Sequence, residues 1–288
     1  MGGMAQISNN INEVLPVDGA SMWFNLHHSS SRLASDLVFA DRVHYFRPSV
    51  TLIPTLHECL LYTDKTKQYE AYPDYFPFSR ILNDEAEAAV VLTDIEYPFI
   101  SKPSNGSGGS GIRIIHTEDE ASKEVESFLS NGTPLLWQEY LPNKFDYRVV
   151  VLANRYFWIA KRFIGNRGIV TCTSIGDHGV ERYDTPVDEL VKVMEYIHEF
   201  SNRYNITRLA ADVIFDKDNK PVMTEFATSW GGIDMMNGGT WLLRKGSGEY
   251  TNTGIGGPQQ FGLMAKLLLD GEFKDIADKQ VLASKGKD

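Results

Sequence analysis

A chain of 288 residues, 42% of them hydrophobic and with a formal net charge of −10, can bury a sizeable core, and its length suggests one large domain or two to three small ones. That charge argues against nucleic acid or an anionic membrane surface as a general partner, and no apolar run approaches the roughly 18 residues of a membrane span. Only Cys59 and Cys172 occur, without metal-ligand spacing, and Met1 to Gln6 carry no secretory pattern, so the chain reads as soluble, cytoplasmic and held in a reducing compartment.

Residues 1–18 are polar, carry Asn9, Asn10 and Asn12, and are expected to form a flexible arm. A short α/β unit is expected over 19–80, with buried strands at Leu37 to Ala40 and Val50 to Ile53, punctuated by Pro48 and Pro54. His27 and His28 precede three serines, but neighbours in sequence rarely have the geometry of a nucleophile and its base. His44 and His57 have no partner at metal-ligand spacing. Leu60 to Gln68 reads as a helix ending before Pro73, Tyr75 to Phe78 as extended, and Asn83 to Glu87 is a polar, acidic stretch.

The most informative stretch follows. An apolar run from Pro98 brings Lys102 to the mouth of a Gly/Ser loop that ends at Gly111, and Ile112 to Ile115 read as the returning strand. Glycines let backbone N–H groups approach an anion, serines add hydroxyl donors and the lysine adds a point charge, a combination that suits polyphosphate. Gly106, Gly108 and Gly111 formally satisfy G-x-G-x-x-G, yet a dinucleotide fingerprint needs a helix after the last glycine, where this chain has a strand. There is no P-loop motif, and nothing matches the kinase signatures. On this stretch alone a flexible linker remains the competing explanation.

Thr117 to Glu120 spell a capping box that opens a helix to about Ser130, with Gly132 just beyond its end. Leu135 to Pro142 is a buried strand that turns polar, a hinge candidate. Two strands, Tyr147 to Ala153 and Arg155 to Lys161, flank a tight turn at Ala153-Asn154, and strand alternation places Arg148, Val150 and Leu152 on one face. A charge among such neighbours needs an anion beside it. Lys161 and Arg162 follow on the partner strand. The longest helix is expected from Thr185-Pro186 to about Tyr204. Leu209 to Phe215 and Pro221 to Phe226 then read as apolar strands, each interrupted by one carboxylate, Asp212 and Glu225. A hard divalent cation between the two acids explains their burial; a salt bridge to a core Arg or Lys is the competing reading. Pro258 to Leu269 is expected to be a last amphipathic helix before a polar tail.

Taken together, Lys102 before the Gly/Ser hairpin, Gln138-Glu139-Tyr140, Asp146-Tyr147-Arg148, Lys161-Arg162, Asp212 and Glu225 resemble the ATP-grasp superfamily over about residues 60–235. The pattern is similar to its carboxylate-amine ligases that add amino acids to ribosomal protein or peptide substrates. The resemblance implies an α+β fold in which a nucleotide is held between a small hairpin-helix lid, 81–139, and a larger C-terminal antiparallel sheet, 140–288. It implies that Lys65 and Lys102 touch the phosphates of ATP, that Ser107, Gly108 and Gly109 cover them, and that Gln138, Glu139, Tyr140 and Leu141 hold adenine with Asp146 near the ribose. Arg148, Arg162 and Lys161 are implied as catalytic cations, Asp212 and Glu225 as ligands of Mg²⁺, and Asp234 as a substrate contact. The implied reaction joins a carboxylate to an amine through an acyl phosphate, on an amino acid, peptide or protein substrate, with the oligomeric state open and a homodimer among the options. One departure stands out. The family places an Asn two residues after the metal-binding Glu, and this chain has Ala227, which leaves a non-catalytic nucleotide-binding module as the alternative.

Overall fold

The protein is described by a computed structural model over residues 21–23, 26, 30–46, 48–62, 64–106, 109, 111–163, 180–181, 187–228, 241–243, 248–255 and 260–285. Strands β1 (Ser21–Trp23) and β2 (Thr51–Ile53) pair in parallel, joined through helix α1 (Ser30–Phe46), and α2 (Leu56–Tyr62) follows. Leu37 to Ala40, expected as a strand, lie inside α1. Four apolar residues in a row do not distinguish strand from helix, but Leu33, Leu37, Ala40 and Val43 recur at helical spacing, and Ala40 and Val43 are buried. The helix expected over 60–68 is two: α2 ends before Asp64, whose carboxylate accepts from Thr66 N–H at 3.0 Å and starts α3 (Lys65–Ala71).

A four-stranded antiparallel sheet comes next, built from β3 (Ser79–Leu82), α4 (Glu85–Leu92), β4 (Phe99–Pro103), β5 (Arg113–Ile115), α5 (Glu118–Leu129) and β6 (Leu135–Glu139), in the strand order β3-β6-β4-β5. The polar, acidic stretch at Asn83 to Glu87 starts a helix: Asp84 accepts from Glu87 N–H at 2.9 Å and caps α4. Thr117 caps α5, accepting from Glu120 N–H at 3.3 Å, and Gly132 takes the left-handed φ of +69° just past its end. Both helices pack on one face of the sheet, against Phe99, Ile115, Leu135 and Trp137. The opposite face carries Lys102 and Gln138.

The larger sheet comprises β7 (Phe145–Leu152), β8 (Tyr156–Phe163), β9 (Val180–Glu181), β10 (Arg208–Phe215), β11 (Pro221–Ala227), β12 (Trp241–Leu243) and β13 (Tyr250–Asn252). Its order is β11-β10-β7-β8-β12-β13, with β9 beside β8. Ala153 and Asn154, both with positive φ, make the expected turn between β7 and β8. Helix α6 (Asp188–Arg203) packs Leu190, Val193, Met194, Ile197 and Phe200 against the face bearing Tyr147, Val149, Ile159, Leu209 and Met223. At 16 residues it is one shorter than α1, so it is not the longest helix. The other face is partly covered by α7 (Gln260–Leu269) and by α8 (Glu272–Lys285), a helix where a polar tail was expected; Phe273 and Ala277 on its inner side are buried. The uncovered part of that face carries the charged side chains. Among the described residues no helix is long and apolar enough to cross a membrane.

A buried polar node fastens α2 to the larger sheet. The fully buried Glu58 accepts from Thr55 N–H at 2.8 Å and from the Thr207 hydroxyl at 2.6 Å, while Arg208, also buried, donates from Nε to the Thr228 carbonyl at 2.6 Å. Burial raises the Glu58 pKa and lowers that of Arg208 to about 10. Glu58→Ala removes the acceptor from several buried donors at once. It is expected to lower the unfolding free energy by about 3 kcal/mol or more, measured as a fall in the urea midpoint at unchanged slope.

Candidate functional site

Lys102 sits near the end of β4 on the face away from α4 and α5, where strand alternation places it beside Gln138 of the adjacent strand. The residue is 5% exposed, and its ammonium donates to Gln138 Oε1 at 2.7 Å and to the Thr224 carbonyl at 2.9 Å, so one side chain spans from the small sheet to β11. Burial lowers its pKa to about 8, with the charge of Lys65 acting in the same direction and those of Glu225 and Asp212 opposing. Lys65, the first residue of α3, donates from Nζ to the Gly106 carbonyl of the glycine loop at 2.8 Å and lies 4.0 Å from Glu225 Oε2. Its own N–H donates to Ser104 O at 2.8 Å, fixing the start of the helix against the loop.

On the larger sheet, antiparallel register sets Asp212 directly opposite Glu225 on one side and Arg148 on the other. Arg148 Nη1 donates to Asp212 Oδ1 at 2.7 Å, and Arg162 Nη2 reaches the same oxygen at 2.9 Å. Arg162 also grips Asp146 through two bonds, its Nε donating to Oδ1 at 2.7 Å. Burial alone would raise the Asp212 pKa, but the two guanidiniums outweigh it and hold the carboxyl below its ordinary range, whereas burial pushes Asp146 up to about 6. Across Lys65, Lys102, Arg148 and Arg162 set against Asp146, Asp212 and Glu225, the cations exceed the carboxylates. In a chain with net charge −10 this local excess is a place for a polyanion.

Several implied roles move. Lys161 pairs with Tyr147 and therefore projects to the α6 face, with Nζ 3.7 Å from the Phe145 ring centroid and 3.5 Å from Glu189 Oε2. It is not beside Arg148 and Arg162, because neighbours in a strand point to opposite faces. The anion that lets Arg148 sit among apolar neighbours is Asp212 itself, as the salt-bridge reading had it. The Asp146 carboxylate is engaged by Arg162 at 3% exposure of the residue, which leaves little of it for a ribose. Gln138 is buried and bonded to Lys102 and Ser79, and Glu139 is exposed on the other face of β6 with its N–H donated to Phe78 O at 2.8 Å. Tyr140 and Leu141, half-buried, follow in the connection to β7, and Gly109 lies in the glycine loop with φ of +73°. Ser107, Gly108 and Asp234 lie outside the described residues.

Two contributors had no motif to reveal them. Thr224 supplies only a backbone carbonyl, exposed to Lys102 where the β10/β11 register shifts at a bulge. Tyr62, the last residue of α2, lies within electrostatic reach of Arg148, Arg208 and Glu225, and burial pushes its hydroxyl up to about 12.

Residues 73–152 match the family model described as carbamoyl-phosphate synthase L chain, ATP binding domain. The chain is 30% identical over 81 residues to the carbamoyl phosphate synthase large chain of Xanthomonas axonopodis pv. citri, a match that covers 27% of this chain and 8% of that protein's length. In three dimensions it is similar to D-cycloserine synthetase DcsG, with a TM-score of 0.55 at 15% identity over 72% of this chain and 74% of that one. The D-alanine–D-alanine ligase of Bacillus anthracis aligns with a TM-score of 0.53 at 12% identity over 89% of this chain and 79% of the other. The chain has the ATP-grasp fold.

In ATP-grasp terms, the charged cluster lies where the small sheet faces the larger one. Asp212 and Glu225 are hard oxygen donors in direct register, but the next inward pair is Ala210 opposite Ala227, which adds none. No group of three or more His, Cys, Asp or Glu capable of holding a metal occurs among the described residues. Two carboxylates nevertheless fit Mg²⁺, which keeps several waters and is ordinarily bound through one or two carboxylates together with substrate phosphates.

Proposed function

We propose that this chain is an ATP-dependent ligase that joins a carboxylate to an amine, with an amino acid or a peptide as substrate. The observation that carries the reading is the meeting of Lys65 and Lys102, from the glycine-loop side, with Arg148, Arg162, Asp212 and Glu225, from the sheet side, in one charged cluster. The four-stranded sheet with α4 and α5 serves as the lid, and the larger sheet as the floor.

The chemistry asks for little covalent help from the protein. A substrate carboxylate oxygen attacks the γ-phosphorus of ATP while the bond to ADP breaks; the neutral amine then attacks the acyl carbon, the acyl carbon–oxygen bond to phosphate breaks so that inorganic phosphate leaves, and the nitrogen releases a proton to the departing phosphate or to water. Lys65 and Lys102 bind and orient the phosphates, Arg148 and Arg162 offset the negative charge that spreads over the transferring group, and the lid excludes water. Glu225 and Asp212 would hold Mg²⁺, which would supply positive charge to offset that of the phosphates.

The reading is tested by an ADP-release screen across amino acids and short peptides, with mass spectrometry of the products. Amide formation matched one for one by ADP supports it; ADP release with no amide under any pair of substrates contradicts it. A second reading, a nucleotide-binding module without turnover, is favoured by Ala227 and by the double occupation of Asp212, and predicts nucleotide binding with no ADP released at all.

Lys102 also fixes a pH dependence. Above about 8 its side chain becomes neutral in the free protein and loses its attraction for phosphate, so kcat/KM for ATP is expected to fall about tenfold per pH unit beyond that point. Its effect on folding stability runs the other way. Between about 8 and the ordinary 10.5 the unfolded chain holds the proton that the folded chain has released, so Lys102 contributes a rise in stability with pH across that window.

A further inference from the structure

Gln138 is placed to do something other than hold a base. Its side-chain oxygen accepts from Lys102 Nζ at 2.7 Å, and its side-chain nitrogen donates to Ser79 Oγ at 3.1 Å. Ser79 in turn donates from Oγ to the Pro77 carbonyl at 2.8 Å, which fixes the hydroxyl as acceptor toward the amide. An amide oxygen cannot donate to Ser79 and an ammonium cannot accept from an amide N–H, so the chain Pro77, Ser79, Gln138, Lys102 has one consistent polarity. At 2% exposure Gln138 offers almost no surface to a ligand. The register explains the placement: Ser79 lies opposite Gln138, and Gln138 lies opposite Ile100, one pleat from Lys102 on the same face.

Resting on the ATP reading above, we infer that Gln138 is a positioning residue that aims the Lys102 ammonium at the nucleotide phosphates and does not touch adenine. Among the described residues the Lys102 ammonium has two acceptors, Gln138 Oε1 and Thr224 O, one from each sheet. The ammonium's third proton is left for a phosphate oxygen. Ser79 supports the arrangement from β3, which makes the lid's edge strand part of the phosphate site without contacting nucleotide.

The test compares how binding of two ligands changes, using calorimetry on the full chain. In Gln138→Leu, affinity for a non-hydrolysable ATP analogue is expected to fall about tenfold or more, the scale of one hydrogen bond to a charged group, while affinity for adenosine stays at the wild-type value. Ser79→Ala is expected to shift the analogue in the same direction by less. In a Lys102→Met background, Gln138→Leu is expected to add nothing. Equal losses for adenosine and the analogue would overturn the inference in favour of an adenine contact, as would an unchanged affinity for both. Should Gln138→Leu fail to fold, as judged by circular dichroism, the Ser79→Ala and Lys102→Met comparisons carry the same test. A wild-type chain that binds neither ligand overturns the ATP reading itself, and this inference with it.

Discussion

Glu225→Ala and Lys102→Ala are each expected to reduce ADP release by about 10²–10³-fold while leaving the fold intact, the loss seen when a preorganised charge is removed from a site where charge develops. Glu225 is half-buried and its ion pair with Lys65 is long at 4.0 Å, so truncating it breaks no tight structural bond. Lys102 is buried with a lowered pKa, the mark of a charge held against a desolvation cost. Lys102→Met is therefore expected to keep or raise the melting temperature at pH 7 even as turnover disappears, the trade that functional charges impose. A variant that loses activity only because it unfolds would show a fall in melting temperature of the same order as other core truncations, and that outcome would remove Lys102 from the catalytic account.

Arg162→Ala is expected to have the largest effect on stability, about 3–5 kcal/mol, because it leaves the buried Asp146 carboxylate without its two-bonded partner and takes one of two guanidiniums from Asp212. Urea denaturation measures it. A double variant, Asp146→Leu with Arg162→Leu, removes both charges together and is expected to recover most of the loss, since an uncompensated buried charge costs more than a buried apolar pair. Neither variant should release ADP at the wild-type rate, as both lack the Arg162 charge. If Arg162→Ala is as stable as wild type and fully active, then the Asp146, Arg162, Asp212 and Arg148 cluster is surface decoration, contrary to its burial.

Much of the site was readable from residue type and strand periodicity. Asp212 and Glu225 each interrupt an apolar run, and two such runs around the turn at Asp216 to Lys220 imply an antiparallel pair, which the register confirms. The face on which Arg148 lies, shared with Val150 and Leu152, follows from strand alternation. Lys161 shows the limit of reading by proximity: adjacent to Arg162 in sequence, it is on the far side of the sheet, and alternation alone was enough to say so. The misread segments are short apolar or polar runs whose state is decided by tertiary packing. Leu37 to Ala40 became helix because α1 buries Ala40 and Val43, and 272–285 became helix because Phe273 joins Ile53, Val150 and Leu152 in one buried apolar cluster and Ala277 is buried beside it in sequence. The pairing of Gln138 with Lys102 joins positions far apart in the chain, a relation that only the β4/β6 register creates.

Calorimetric titration of the full chain with a non-hydrolysable ATP analogue, with and without Mg²⁺, measures whether Lys65 and Lys102 converge with Asp212 and Glu225 on one bound triphosphate. One site per chain is expected, with affinity reduced about tenfold or more when Mg²⁺ is withheld and no such Mg²⁺ dependence in Glu225→Ala. Binding that is indifferent to Mg²⁺ and unaltered in both Lys102→Ala and Glu225→Ala would contradict it.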